Sequence, residues 1–449
     1  MPDNARTIAE LARALRAQEI SAEAATTECL DRIAERNPAI NAYIAVLADQ
    51  ALAQAKQADA ELARGHDRGP LHGVPLSLKD IIDLRGVATT AASKVREGHV
   101  ATADSPVSAR LRDAGAVFIG KTNLHEFAFG TTNEDSAFGA ARHPLDPNRS
   151  PGGSSGGSAA SVLDGMAYAS IGTDTGGSIR IPSAACGLVG LKPSLGEIPV
   201  DGVVPLSMTM DHVGPLCRSV EDAGLLFDVL RGQPTRQRPP RQVSGLRIGV
   251  LRGYFTSLLD TQVASAFDTT CAALTNAGAS LEDVTIAHAG DIAPIYLHIV
   301  LAEAAAFHAK TLDSHADQYT PNVRIRLEMG RYILAQDYVR ALRGRDLLIR
   351  EVDAAMGGCD ALLLPSLGVP AVRLGAATLK LGAIEEPVRN IMLRLTQLFN
   401  VTGHPAITIP CARTTDGLPI GAQLVGERNR TDALLSVAAA VEHLLSPGR

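Results

Sequence analysis

No two of the six cysteines in this 449-residue sequence form a Cys-x-x-Cys pair. Cys29, Cys186, Cys217, Cys271, Cys359 and Cys411 are scattered instead, which argues against a disulfide framework or zinc site and for buried free thiols in a reducing compartment. No set of His, Cys, Asp and Glu has metal-ligand spacing, so neither a metal nor another cofactor is expected. Met1–Thr7 is polar, carries Asp3 and lacks the charged-then-apolar order of a signal peptide. No apolar run reaches the length of a membrane span. Charge is not lopsided: 42 Lys and Arg stand against 48 Asp and Glu, and the densest basic cluster, Arg340–Arg350, is interleaved with apolar residues as on a solvated helix face. Neither a nucleic-acid partner nor a membrane surface is therefore implied. Internal repeats and low-complexity tracts are missing too. These absences point to a cytoplasmic globular protein. Its 46% hydrophobic and 20% charged residues lie well clear of the disordered class, and its length allows a core that needs no covalent staple.

Residues 1–65 read as a helical arm packed on a main body of residues 66–449. Ile8, Leu11, Leu15 and Ile20 recur near helical spacing, and Ser21 is placed as an N-cap. Asn37-Pro38 is expected to break the second helix, and Ala51–Ala63 forms a third. From Leu71 to Gly214 the pattern changes. Short strand-like runs (Pro75–Leu78, Ala116–Ile119, Ala167–Ile171) alternate with helix-like segments (Val107–Ala114, Ser158–Leu163), which predicts an α/β layer fold. Arg231–Ser244, rich in Pro, Arg and Gln, reads as a linker or exposed loop. Strands follow at Leu246–Leu251, Ala361–Leu364, Ala406–Ile409 and Ile420–Val425, and helices at Gln262–Ala277, through most of Pro294–Ala355, and at Asp432–Leu444. Strands on both sides of the loop imply one continuous sheet, with a helix-rich, variable region at about 231–359.

Three segments carry chemistry. Gly69-Pro-Leu-His-Gly-Val-Pro-Leu-Ser-Leu-Lys79-Asp80 ends an apolar strand on a lysine; burial disfavours its charge and lowers its pKa, as a lysine base requires. A surface lysine or one paired with Asp80 is the competing reading. Ser150-Pro-Gly-Gly-Ser-Ser-Gly-Gly-Ser158 surrounds serines with glycines that adopt backbone shapes closed to other residues. It runs straight into an apolar helical stretch, unlike a linker, and has no lysine placed for a phosphate-binding loop. Gly172-Thr-Asp-Thr-Gly-Gly-Ser178-Ile-Arg-Ile-Pro182 is a Gly-rich turn after a strand, with Pro182 suiting a helix start. There the N–H groups of Thr175, Gly176 and Gly177 would face whatever sits beside Ser178, as in an oxyanion hole; a plain strand-to-helix turn or an anion site is the alternative.

Together these segments resemble the amidase signature family. The likeness continues through Lys121-Thr-Asn, Glu126-Phe-Ala, Gly187–Pro193, Asp211–Pro215, Phe399–Pro405 and Leu418–Gln423, and is weakest from about Arg231 to Cys359. It implies a large mixed, twisted β-sheet covered by helices on both faces. It also implies three catalytic residues: Ser178 as nucleophile, Ser154 as proton relay following a cis peptide bond at Gly153, and Lys79 as base. The oxyanion would rest on the N–H groups of Thr175, Gly176, Gly177 and Ser178. Asp174, Gly153, Ser155 and Arg180 would support the site, with Arg180 in a structural salt bridge. Phe127, Phe129, Thr131, Thr132 and Asn133 lie on the segment that borders the pocket in relatives. His72, His125 and His212 sit where that family uses backbone geometry.

The expected function is hydrolysis of an amide-type C–N bond in a small molecule. Carbamate or urea cleavage, and the glutamine-hydrolysing component of a tRNA-dependent amidotransferase, are the alternatives. A non-catalytic scaffold of the same fold is disfavoured because all three catalytic positions are intact. Phe127, Phe129, Phe138, Ile179 and Met208 suggest an apolar pocket, hence a neutral amide or aryl carbamate substrate. A homodimer through the N-terminal helices is possible.

Overall fold

The computed structural model describes residues 6–445; Met1–Ala5, including Asp3, and Ser446–Arg449 lie outside the described residues. Helix α1 (Ile8–Arg16) opens with a capping box: the Thr7 hydroxyl accepts from the Glu10 N–H, and the Glu10 carboxylate accepts from the Thr7 N–H. The next two N–H groups, of Ile8 and Ala9, donate to the carboxylate of Asp222 at 3.1 Å each. A helix start has donors but no intrahelical acceptors, so this distant acid both satisfies them and ties the arm to the body.

Helix α2 (Ala22–Ile40) is capped by Ser21 as expected, but it does not break at Asn37-Pro38. Pro38 falls in the last turn, where few helical bonds remain to be lost, and the helix ends at Asn41 in the left-handed conformation, φ 54°. Between α2 and α3 (Ala48–Ala63) the mostly helical arm also supplies a strand, β1 (Tyr43–Val46), which pairs antiparallel with the main sheet.

The body follows as β2 (Pro75–Lys79), α4 (Pro106–Asp113), β3 (Val117–Thr122), α5 (Gly156–Leu163), β4 (Ala169–Asp174), α6 (Arg180–Cys186), β5 (Val189–Lys192), β6 (His212–Cys217) and α7 (Val220–Leu230). Beyond the Pro- and Arg-rich loop come β7 (Arg247–Leu251), α8 (Thr261–Asn276), β8 (Ser280–Val284), α9 (Ile292–His315), α10 (Pro321–Gly330) and α11 (Ala335–Met356). The chain ends through β9 (Ala361–Pro365), a small hairpin of β10 (Thr378–Leu381) and β11 (Ile384–Pro387), α12 (Val388–Leu393), α13 (Leu398–Val401), β12 (Ala406–Arg413), β13 (Pro419–Val425) and α14 (Thr431–Leu445).

One 11-stranded mixed sheet runs in the order β1-β3-β2-β4-β6-β5-β12-β13-β9-β7-β8. It joins strands from both sides of the Arg231–Ser244 loop. That loop is pinned rather than free: Arg231 and Arg238 reach both Asp228 and Asp432, at 2.5–3.0 Å. β2 lies parallel between β3 and β4 with every residue buried, and Leu78 pairs with Ile171. The C-terminal ends of β2 and β4 therefore emerge side by side. Among adjacent parallel strands that is the end where loops can converge on a ligand.

One stretch departs from the expectation of no membrane-length apolar run: Ala289–Gln318 is long and apolar enough by length and composition. Half of its most apolar 18-residue window is buried within the protein, where α9 packs Tyr296, Ile299, Val300 and Ala304 inward.

Replacing Asp222 with alanine leaves two N-terminal donors of α1 without their acceptor. The expected loss is about 1–2 kcal/mol, with faster hydrogen exchange concentrated in the first turn of α1. Unchanged exchange there would show that the arm is held by packing alone.

Candidate active site

Lys79 ends β2 with its side chain wholly buried. Its Nζ donates to Ser154 Oγ at 2.8 Å and to Thr173 Oγ1, on neighbouring β4, at 2.7 Å. Among the described residues it has no ion pair. Asp80, the acid next to it in sequence, turns instead to Lys121 on β3 at 2.9 Å and accepts from the Thr90 N–H at 3.0 Å. Burial pushes the Lys79 ammonium down to about 7, against the attraction of Asp174 and Asp211.

The loop before α5 brings Ser154 to this amine. The Gly153–Ser154 peptide is cis. Gly153 has no room for a side chain, since a Cβ would stand 2.8 Å from the backbone nitrogens of Thr132 and Asn133. The Ser154 carbonyl accepts from the His125 N–H at 3.1 Å. Ser155 clamps the loop to the next segment: its N–H donates to the Ser178 carbonyl and its hydroxyl to the Thr173 carbonyl, each at 3.3 Å. Ser154 and Ser178 are both buried, and Ser178 retains 7% exposure.

The turn from β4 into α6 is shaped from outside. The Thr175 hydroxyl donates to Asp211 at 2.6 Å, and Asp211 also accepts from the N–H groups of Leu206 and Ser207. Burial raises the Asp211 carboxyl to about 6 although these donors oppose it. The Gly176 carbonyl accepts from Thr396 Oγ1 at 2.6 Å. A Cβ on Gly176 would lie 2.5 Å from the Tyr296 hydroxyl, and one on Gly177, at φ +140°, 2.2 Å from Thr396 Oγ1; only glycine fits either place. The N–H groups of Thr175, Gly176, Gly177 and Ser178 have no acceptor among the described residues. Consecutive unpaired donors beside a serine are what a developing oxyanion needs.

Beneath the turn, Asp174 and Arg180 form a fully buried ion pair at 2.9 Å. A guanidinium has five N–H donors, and here Asp174 takes two, Asn400 one, and Gln423 and the Thr396 carbonyl one each. No donor of Arg180 is left for a substrate. Asp174 in turn accepts from the N–H groups of Ile179 and Arg180 and from Asn400 Nδ2. Burial alone would raise this carboxyl, but the Arg180 charge and these bonds hold it far below the ordinary carboxylate range.

No histidine ring bonds to Ser154 or Ser178 among the described residues. His72 and His125 face Glu61 and Asp135, and His212 lies between the Met210 carbonyl and Lys192. No group of three or more His, Cys, Asp or Glu among the described residues could hold a metal ion.

The segment expected to border the pocket divides. Phe127 and Phe129 are buried, with Phe127 edge-on to His308 at 4.3 Å. The Thr131–Asn133 backbone packs against Gly153, and Asn133 Oδ1 caps the Gly157 N–H. Thr132 bonds to Glu134 and, through its carbonyl, to Ser150. The apolar ring read from sequence does not assemble. Phe138 and Met208 are exposed, at 41% and 76%, and Ile179 belongs to a core cluster with Val162, Leu188 and Leu216. Sequence reasoning gave no role to Thr173, Asp211, Tyr296, Thr396 or Asn400. Thr173, Asp211 and Asn400 stand inside motifs already recognised, whereas Tyr296 and Thr396 had no such signal.

Known proteins resemble this chain over nearly its whole length. The Amidase family profile matches residues 24–435. An amidase of Pseudomonas putida is 42% identical, covering 92% of this chain and 90% of its own. The A-type subunit of a glutamyl-tRNA(Gln) amidotransferase from Koribacter versatilis (strain Ellin345) is 35% identical, covering 99% and 100%. A crystal structure of an amidase superposes with a TM-score of 0.93 at 36% identity, covering 98% of this chain and all of that one. With these matches over nearly its whole length, the chain belongs to the amidase family and is a hydrolase of amide C–N bonds.

Proposed function

We propose that the protein cleaves the amide bond of a small molecule through an acyl-enzyme on Ser178, with Ser154 as relay and Lys79 as base. The observation that carries this reading is the buried Lys79 amine, 2.8 Å from Ser154 Oγ and without a counter-ion. In its neutral form Lys79 still donates to Thr173 and has a lone pair for the Ser154 hydroxyl proton. Ser154 then accepts the proton of Ser178 as Ser178 Oγ bonds to the carbonyl carbon. The carbonyl oxygen gains negative charge beside the N–H groups of Thr175, Gly176, Gly177 and Ser178. When the C–N bond breaks, Ser154 gives a proton to the leaving nitrogen and regains one from Lys79. Water attacks the resulting ester by the same relay, releasing the carboxylic acid and Ser178. Carbamates differ only in the group flanking the carbonyl, and this relay serves them equally.

The likeness to amidotransferase components supports a second reading, in which glutamine is the amide cleaved. We favour a stand-alone enzyme acting on a small-molecule amide, because the 42% identity to the Pseudomonas putida amidase exceeds the 35% identity to such a component. The ratio of kcat/KM for glutamine to that for glutaramate, the same molecule without its α-amino group, measured on the isolated chain, separates the two. Clear preference for glutamine would establish the amidotransferase reading.

Ser178→Ala should abolish both turnover and fluorophosphonate labelling while the melting profile is kept; a folded Ser178→Ala protein with normal turnover would refute the mechanism. The neutral form of Lys79 grows as pH rises through its lowered pKa. kcat/KM should therefore climb with pH on a limb centred near 7. Lys79→Arg keeps its charge at all these pH values, and activity should fall by about 10²–10⁴-fold, the usual worth of a positioned base. Wild-type turnover by the arginine variant would show that another group takes the proton.

A further inference from the structure

Two guanidinium groups flank Phe129. Cζ of Arg326, on α10, is 5.8 Å from the ring centroid, and Cζ of Arg389, the second residue of α12, is 6.0 Å away. Arg326 donates to the Phe129 carbonyl at 2.6 Å and has no ion pair among the described residues. Arg389 has neither a hydrogen bond nor an ion pair among them, and its Nε is buried. Burial and mutual repulsion push Arg326 down to about 10, and burial also lowers Arg389. The nearby acids do not compensate. Asp135 is held by His125 and Asn322. Glu386, on the same cavity as Arg389, accepts from Asn390 at 3.2 Å and makes no ion pair with the arginine.

Both arginines are half-buried, and a charge partly withdrawn from water without a partner is costly. An unpaired arginine beside a second one is therefore expected where the anion arrives with a ligand. The position fits. Arg389, Tyr296 and Leu393 line a cavity of about 450 Å³. Tyr296 and Leu393 also close over Gly176, where a Cβ would lie 2.5 Å from the tyrosine hydroxyl and 3.0 Å from Leu393 Cδ2. The cationic spot is thus one side chain away from the turn that carries Ser178.

We propose that Arg389, seconded by Arg326, binds a carboxylate of the substrate, so that the enzyme acts on amides bearing a negative charge, such as a monoamide of a short dicarboxylic acid, rather than on neutral amides. The fork of a guanidinium matches a carboxylate with two parallel hydrogen bonds, and both Arg389 Nη groups lack partners among the described residues. The inference rests on Ser178 being the acylated residue.

The test measures how well two competitors slow the labelling of Ser178 by a neutral fluorophosphonate. One competitor is glutaramate, the monoamide of glutaric acid. The other is pentanamide, of similar size but neutral. In the native protein glutaramate should protect at a concentration at least 30-fold lower than pentanamide. In Arg389→Gln, with folding checked by its melting profile, the advantage should fall below threefold. Arg389→Lys, which keeps the charge without the fork, should fall between. Equal protection by the two competitors in the native protein overturns the proposal without recourse to any variant. So does an advantage for glutaramate that survives in both variants. Failure of the native protein to label at Ser178 at all would instead remove the nucleophile on which the proposal rests.

Discussion

A lysine buried with only hydroxyl partners is the constraint on which the site depends. An ammonium is expensive to bury, and the usual remedy is a carboxylate. Asp174 and Asp211 act on it electrostatically and Asp80 adjoins it in sequence, and each is engaged elsewhere. Asp80 faces Lys121. Asp174 faces Arg180. Asp211 is spent on Thr175 and on two backbone N–H groups of the preceding loop. Were any of them to swing to Lys79, its charge would be stabilised and the proton-accepting role proposed for it near neutrality lost. The ion pairs around the site are arranged so that the one amine at the end of β2 keeps none.

The turn around Ser178 depends on a different economy, that of space. Gly153, Gly176 and Gly177 each stand where a methyl group would meet backbone or side-chain atoms at 2.9 Å or less. These contacts come from three separate parts of the chain: the Thr131–Asn133 segment, α9 through Tyr296, and the Thr396 loop. The glycines serve less to make the loop flexible than to let rigid neighbours close on it. Close packing fixes the directions of the unpaired N–H groups, and pre-set donors stabilise charge without reorganisation during reaction.

Much of this was legible in the sequence, for reasons that differ by element. Lys79, Ser154 and Ser178 each lie in a contiguous run of unusual composition, and the alternation of strands and helices from Leu71 onward matches the sheet. Strand β1 was missed because it is four residues long within an Ala-rich, helix-forming stretch. Strands β5 and β6 contain glycine or proline and are defined by their partners across the sheet rather than by period. Pro38 misled because proline is a breaker only where a helix still has bonds to lose. The apolar ring expected around the site fails to assemble for the same kind of reason. Phe138 and Met208 sit near the motifs in sequence yet face solvent, whereas Arg326, Arg389 and Tyr296 come from helices with no local signal. Proximity in sequence to a motif says little about which side chains surround it in space.

Arg180 takes its last partners, the Thr396 carbonyl, Asn400 and Gln423, from residues 216 to 243 positions further along the chain. During synthesis at about 5–20 residues per second, the serine turn therefore leaves the ribosome on the order of ten to fifty seconds before the groups that complete the surroundings of Arg180. Until then a guanidinium and a carboxylate that will share a dry interior remain in water, where their attraction is weak. The nascent polypeptide carries Lys79, Ser154 and Ser178 well before it has the partners that complete the surroundings of the turn that carries Ser178.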